Sequence, residues 1–160
     1  AEKIGFMFQS FFVQGNESVY DNVSLPLEIA RVPRNKRKPR VMRALKAVEL
    51  SDKVKSKAKN LSGGQKQRLA IARAIVGEPK IIFADEPTGN LDSLTGAKVE
   101  ELLFGYNRDK GVTLIIVTHD PELAAKCDML VSIKDGEIES VEQKSAVESL
   151  RTKDARGLLQ

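Results

Sequence analysis

Apolar and polar positions along the 160-residue chain change period several times, and each change predicts an element. Ile4 to Gln9, IGFMFQ, is an apolar run of strand length. From Ser18 to Arg31 the apolar positions Val19, Val23, Leu27 and Ala30 mark one face of a helix. Pro26 lies within it and predicts a kink or an interruption. Val41, Ala44, Leu45 and Val48 mark a second helix, with Pro39 expected in its first turn. After Asn60 the string SGGQ opens a helix running through Val76, with Leu69, Ala72 and Val76 on one face.

The remainder is strand-rich. Lys80 to Ala84 reads as a short strand, and Val99, Leu102, Leu103 and Tyr106 as a helix ended near Gly111. Val112 to Val117 is a β-rich strand, Pro121 to Lys126 a short helix, and Met129 to Ile133 another strand. The Asp135-Gly136 pair predicts a hairpin into Glu137 to Val141. The tail from Lys144 is expected to be helical and weakly held. Two strands of buried character, each preceded by an amphipathic helix, predict an α/β domain with a mainly parallel core sheet and an antiparallel C-terminal end.

Composition narrows the class. With 41% apolar and 30% charged residues the chain has an ordinary globular composition. No uninterrupted apolar run exceeds four residues, as in Leu114 to Val117, far short of the about 20 that a membrane span needs. No secretory leader pattern is present in these residues. The single cysteine, Cys127, has no partner for an internal disulfide, and a reducing cytosol is expected. The net charge of +4 includes a cluster at Arg31, Arg34, Lys36, Arg37, Lys38, Arg40 and Arg43. Such a cluster can meet nucleic acid or anionic lipid, but no aromatics interleave with these bases, so a solvated helix face is expected there.

Two strings carry chemistry. In LSGGQ, Leu61 to Gln65, Ser62 is placed to cap a helix, and the two glycines let backbone amides approach a ligand without side chains in the way. The helix end so made offers unpaired N–H groups and partial positive charge, which suits a phosphate. In KIIFADEP, Lys80 to Pro87, a buried strand ends in Asp85 and Glu86. The C-terminal end of such a strand is where ligands sit in open α/β sheets. An Asp there can hold Mg²⁺ directly or through water, and the next carboxylate is placed to orient or deprotonate an attacking water.

These two motifs, in this order, resemble the nucleotide-binding domain of ATP-binding-cassette (ABC) proteins over Ile4 to about Val141. The resemblance makes LSGGQ the signature and the strand ending in Asp85 and Glu86 the Walker B motif. It implies that Gln9 is the Q-loop glutamine, touching metal or attacking water, and that Asn90-Leu91-Asp92 is the D-loop, which contacts a partner subunit. His119 resembles the switch histidine that bonds the γ-phosphate. Glu86, His119 and Gln9 are thus the expected catalytic residues. Ser62, Gly63, Gly64, Gln65 and Asp92 would contact nucleotide, and Asp85 with Gln9 the metal; ATP and Mg²⁺ are the implied cofactors. The strings DEPTGNLDS and VSLPLEIARVPR resemble the branch that drives lipoprotein release, macrolide export and antimicrobial-peptide export.

The fold class implied is a partial P-loop NTPase-type fold. Residues 1–9 would end a core strand at the Q-loop, 10–76 form a helical subdomain, 77–143 the core with Walker B, D-loop and switch histidine, and 144–160 a tail. The phosphate loop, G-x-x-x-x-G-K-[ST], does not occur in the 160 residues; Gly96-Ala97-Lys98 is the nearest fragment. A fragment of a longer cassette is expected, unable to hydrolyse ATP alone. A natural half-cassette lending its signature is the alternative.

The family implies an ATPase subunit on the cytoplasmic face of the cell membrane, partnered by a transmembrane permease and a second nucleotide-binding domain, with no nucleic acid. A soluble ABC ATPase acting on ribosome or DNA is disfavoured. Ribosome-associated members typically read N-H-L-D at Gly89 to Asp92, and repair members insert long coiled coils where only 51 residues separate Gln9 from Leu61 here. Phe11, Phe12 and Val13 are candidates for the permease contact.

Overall fold

A computed structural model describes residues 4–9 and 12–144. Phe11 and the tail beyond Lys144 lie outside the described residues. The chain divides into two compact units, Ala1–Val117 and Thr118–Gln160.

The first unit begins with strand β1 (Ile4–Met7), followed by helices α1 (Val19–Ile29) and α2 (Arg34–Ala47). Two 3₁₀ turns lead to helix α3 (Gly63–Ile75), then strand β2 (Ile81–Asp85), helix α4 (Ser93–Lys110) and strand β3 (Thr113–Val117). The strands form one parallel sheet in the order β1-β2-β3, with Met7 opposite Ala84 and Asp85 opposite Val117. The second unit holds the short helix α5 (Pro121–Ala124) and an antiparallel hairpin of β4 (Met129–Lys134) and β5 (Glu137–Gln143). Asp135 and Gly136 both have positive φ, 50° and 85°, as a two-residue primed turn requires.

Helix α3 is the centre of the first unit and touches α1, α2, α4 and β1. Leu69, Ala70, Ile71 and Ala72 are all buried, so the helix is apolar around most of its circumference and belongs inside. Each fully buried Leu or Ile there contributes about 1.5–3 kcal/mol. Val19, Val23 and Leu27 of α1 and Val41, Ala44 and Leu45 of α2 complete this core, as their spacing predicted.

Polar groups fix the connection from sheet to helices. The buried Asn22 side chain accepts from the Gln14 N–H at 2.7 Å and donates to the carbonyls of Gln14 (3.0 Å) and Ser18 (2.9 Å). The loop leaving β1 is thereby held to α1.

Three expectations need correction. Strand β1 ends at Met7 rather than Gln9, because its pairing with β2 stops at Met7 and Ala84. Helix α1 runs through Pro26 without interruption to Ile29, with the Ala30 N–H bonding the Pro26 carbonyl at 3.0 Å. Pro39 is not in the first turn of α2. The helix starts earlier, after Pro33, and Pro39 sits inside it on an exposed stretch where water can satisfy the Asn35 carbonyl that loses its donor.

Only one face of the parallel sheet is packed. Gly5, Met7, Ile82 and Ala84 are buried, whereas Phe6 (50% exposed), Phe8 (45%), Ile115 (38%) and Val117 (58%) on the other face are open. Phe6 stacks on Phe83 at 5.5 Å, so the open face is a contiguous aromatic surface. Parallel sheets are ordinarily covered on both sides, and among the described residues β1 and β3 are both unpaired edges. The 160-residue chain is therefore expected to self-associate with rising concentration in sedimentation velocity, and Phe6→Ser with Ile115→Thr to shift it towards monomer. A concentration-independent monomer would refute this.

Candidate functional site

Ser62 sets the geometry of the LSGGQ segment. Its backbone is extended (φ −65°, ψ 167°), its hydroxyl accepts from the Gln65 N–H at 3.3 Å, and the Gln65 side chain accepts from the Ser62 N–H at 3.0 Å. This reciprocal capping box uses the Gln65 side chain structurally. The Gly63 and Gly64 amides of the first turn have no hydrogen-bond partner among the described residues.

The two glycines have different reasons to lack a side chain. A Cβ on Gly63 would meet open space, whereas one on Gly64 would overlap the Thr95 Cγ2 methyl. Gly64 thus allows the first turns of α3 and α4 to touch. Asp92 caps α4, accepting from the Thr95 N–H at 3.0 Å and the Thr95 hydroxyl at 2.7 Å. The hydroxyl bond and then the amide bond hold the Asp92 carboxyl below the ordinary carboxylate range. Its contribution to folding is present above that ordinary range and is lost as pH falls through its own lower value.

Between these helix ends lies a cavity of about 360 Å³, with Ser62 to Gln65 on one side, Asn90 to Asp92 on the other, and Arg68, Lys98 and Thr95 completing its wall. Two helix N-termini and two bases face one acid, which is already engaged as a cap. The arrangement suits an anion. Arg68 is anchored from behind by the Val48 carbonyl and the Glu49 carboxylate, at 3.3 and 3.2 Å.

Asp85, Glu86 and Gln9 do not line this cavity. Asp85 ends β2 exposed, at the carboxyl edge of the sheet. Glu86 follows with φ 43°, a left-handed conformation uncommon for a residue with a side chain. The turn that bears it is held at three points. Its N–H donates to the Val117 carbonyl (2.9 Å), its carbonyl accepts from Gly89 (3.3 Å), and the Pro87 carbonyl accepts from the buried Gln67 side chain of α3. Asn90 donates to the Gln9 carbonyl at 3.3 Å, which joins the end of the β1 segment to the Asn90-Leu91-Asp92 loop. Arg73 of α3, its pKa lowered by burial, donates to the Phe12 carbonyl at 2.7 Å. Phe12 is exposed and Val13 half-buried against the core. His119 is exposed in the second unit, immediately before the α5 cap Asp120.

Sequence reasoning missed Gln67, Thr95 and Arg68, and met Lys98 only as part of the fragment nearest to a phosphate loop. Gln67 carried no signal beyond its place two residues after LSGGQ, since a glutamine on a helix gives no hint of burial.

Among the described residues no group of three or more His, Cys, Asp or Glu gathers to hold a metal. The donors present are the carboxylates of Asp85 and Glu86 and the Gln9 amide. These hard oxygens fit Mg²⁺ only in its usual mode, with water and substrate phosphates filling the other positions.

The fold, with LSGGQ at a helix start and ADEP at a strand end, defines a nucleotide-cassette domain, and the comparisons agree. A family model described as ABC transporter matches residues 1–89, more than half of the chain, which therefore belongs to that family. The lipoprotein-releasing system ATP-binding protein LolD of Syntrophus aciditrophicus is 45% identical over 135 residues, 84% of this chain and 60% of that protein. The macrolide export ATP-binding/permease protein MacB of Aggregatibacter actinomycetemcomitans is 43% identical over 149 residues, 93% of this chain and 23% of its own length. A solved dimeric ATP-binding cassette in a post-hydrolysis state, bound to ADP and Pi, superposes with a TM-score of 0.77 at 41% identity, covering 88% of this chain and 62% of that one. These relatives agree with the branch that DEPTGNLDS indicated. The chain spans about 60% of the length of the LolD relative.

The Gly64–Thr95 contact can be tested directly. Gly64→Ala is expected to lower stability to urea by about 1–3 kcal/mol through overpacking. Thr95→Ser removes the methyl but keeps the hydroxyl on Asp92, so the double variant should recover most of that loss. Strictly additive effects would show that the two helix ends are not in contact.

Proposed function

We propose that the chain is the ATP-binding and ATP-hydrolysing part of an ABC transporter subunit, converting ATP and water to ADP and phosphate to power export, or lipoprotein or peptide handling, by a membrane permease. The observation that carries this reading is the cavity where the partnerless Gly63 and Gly64 amides meet the Asn90-Leu91-Asp92 loop. Among the described residues no helix is long and apolar enough to cross a membrane, so the permease would be a separate partner or domain. The proposed site of action is the inner face of the cell membrane, with the exposed Phe12 available to the permease.

The roles proposed for the residues follow from their chemistry. Ser62 and the Gly63 and Gly64 amides steady the terminal phosphate of a nucleotide held mainly by a second nucleotide-binding domain. Gln65 acts by closing the capping box that aims those amides. Asp92 fixes the start of α4 beside them. Glu86 orients the attacking water and accepts its proton, and the three bonds on its turn fix the backbone that carries the carboxylate. His119 donates to the γ-phosphate. Asp85 and Gln9 would hold Mg²⁺, which supplies charge neutralisation on the phosphates. Catalysis of this type is positioning and electrostatic stabilisation.

The 160 residues contain no phosphate loop, so Mg-ATP titration of this chain by calorimetry should detect no binding in the micromolar range. Tight one-to-one binding would mean that another segment cradles the phosphates. In the protein completed by a phosphate loop, Glu86→Gln should abolish turnover while retaining ATP in a closed dimer. Normal turnover by that variant would remove Glu86 from its assigned role.

A further inference from the structure

Helix α2 is charged in a way its fold does not need. Seven of its 14 residues are Lys or Arg and none is acidic. Arg37 is accounted for by Glu28 at 3.1 Å and the Val32 carbonyl at 2.7 Å, and Arg43 by Glu78 at 3.1 Å. The side chains of Arg34, Lys36, Lys38, Arg40 and Lys46 make no hydrogen bond or ion pair among the described residues. The helix starts on Pro33 with no side-chain cap, and Arg34, Lys36 and Arg37 crowd its positive end. Cations at a helix N-terminus oppose the macrodipole and weaken the helix. A feature that folding disfavours and packing does not use points to something outside the molecule.

Val41, Ala44 and Leu45 turn into the core, which leaves Lys36, Arg40 and Arg43, spaced four and three apart, along the opposite side with Lys46 beyond them. We propose that this face of α2 docks on an anionic lipid bilayer surface. The charge is spread along about 20 Å of helix rather than gathered into a pocket, which matches a sheet of headgroups. No large apolar side chain of α2 is exposed, so the anchors that a specific protein interface needs are missing. No aromatic residue lies on α2 to stack on bases, which disfavours single-stranded nucleic acid. The face contributes nothing to the nucleotide cavity, so the inference stands apart from the ATP-dependent function.

The test is flotation of the 160-residue chain with vesicles of phosphatidylcholine alone, and with vesicles in which phosphatidylglycerol is about a third of the lipid. Wild type should float with the anionic vesicles, not with neutral ones, and should be released by high salt. Lys36→Gln, Arg40→Gln and Arg43→Gln together should weaken that partition by roughly 100-fold, about fivefold for each charge removed. Their thermal midpoint should change little, because the Lys36 and Arg40 side chains have no partner among the described residues and the Arg43–Glu78 pair is exposed. A second variant, Lys36→Gln with Lys46→Gln, should lose roughly 25-fold and guards against a local effect of the first. Equal flotation with neutral vesicles, or undiminished binding by both variants, would overturn the proposal. Tighter binding to single-stranded RNA than to anionic vesicles at the same salt would also overturn it, by assigning the face to nucleic acid.

Discussion

The signature helix α3 can occupy the middle of its unit only because its neighbours come unusually close at both ends. At its C-terminal end a Cβ on Gly5 of β1 would overlap the Ala74 carbonyl, so the strand lies directly on the helix backbone. At its N-terminal end Gly64 meets Thr95 of α4 in the same way. Between these points the small side chains Ala70, Ala72 and Ala74 keep the approach tight while Leu69 and Ile71 fill the remaining space. Sheet, helical pair and α4 are each positioned against this one element. A change in its seating is therefore felt at the signature and at the sheet together.

The polar side chains of α3 extend that dependence to the loops. Gln67 reaches the Pro87 carbonyl after β2, Arg73 the Phe12 carbonyl after β1, and Arg68 the end of α2 at Val48 and Glu49. The buried Gln67 Oε1 has no partner among the described residues, and an unsatisfied buried acceptor costs about 1–3 kcal/mol. Retaining it makes sense only if the bond from the same amide to Pro87 matters, and that bond steadies the turn on which Glu86 has its left-handed backbone. The carboxylate end of the sheet and the signature are thus mechanically joined within one chain, although they do not share a cavity.

How far the sequence foretold this depended on whether a feature was local. The Ser62 and Gly111 helix ends, the Asp135-Gly136 turn and the apolar stripes of α1, α2 and α3 are written in short-range spacing and were legible. Helix α2 began earlier than its apolar positions implied, since its first turns carry bases, Asn35 and Pro39 but no core residue, and its core face starts at Val41. The limits of β1 depended on where β2 stops pairing with it, a non-local fact. Of the candidate site, the strings LSGGQ and ADEP were legible as chemistry. The contacts behind them, Gly64 on Thr95 and Gln67 on Pro87, span 31 and 20 residues and have no short-range signature.

The same geometry supports the proposal that the anion-suited cavity is half of a nucleotide site. A helix N-terminus contributes about 0.3–1 kcal/mol to a nearby negative charge, rising to about 2 in favourable partly buried geometry. Of the two helix ends at the cavity, that of α4 is already largely answered by the Asp92 carboxylate. Arg68 and Lys98 in an open setting add about as much again as the α3 end with its two glycine amides, because exposed charge pairs are worth only about 0–1 kcal/mol each. Millimolar binding alone requires about 4 kcal/mol. The cavity therefore falls near or below what would hold ATP at cellular concentrations unless another surface supplies the main phosphate contacts. A site this weak by itself yet well ordered by its capping box is suited to closing on a nucleotide already bound elsewhere.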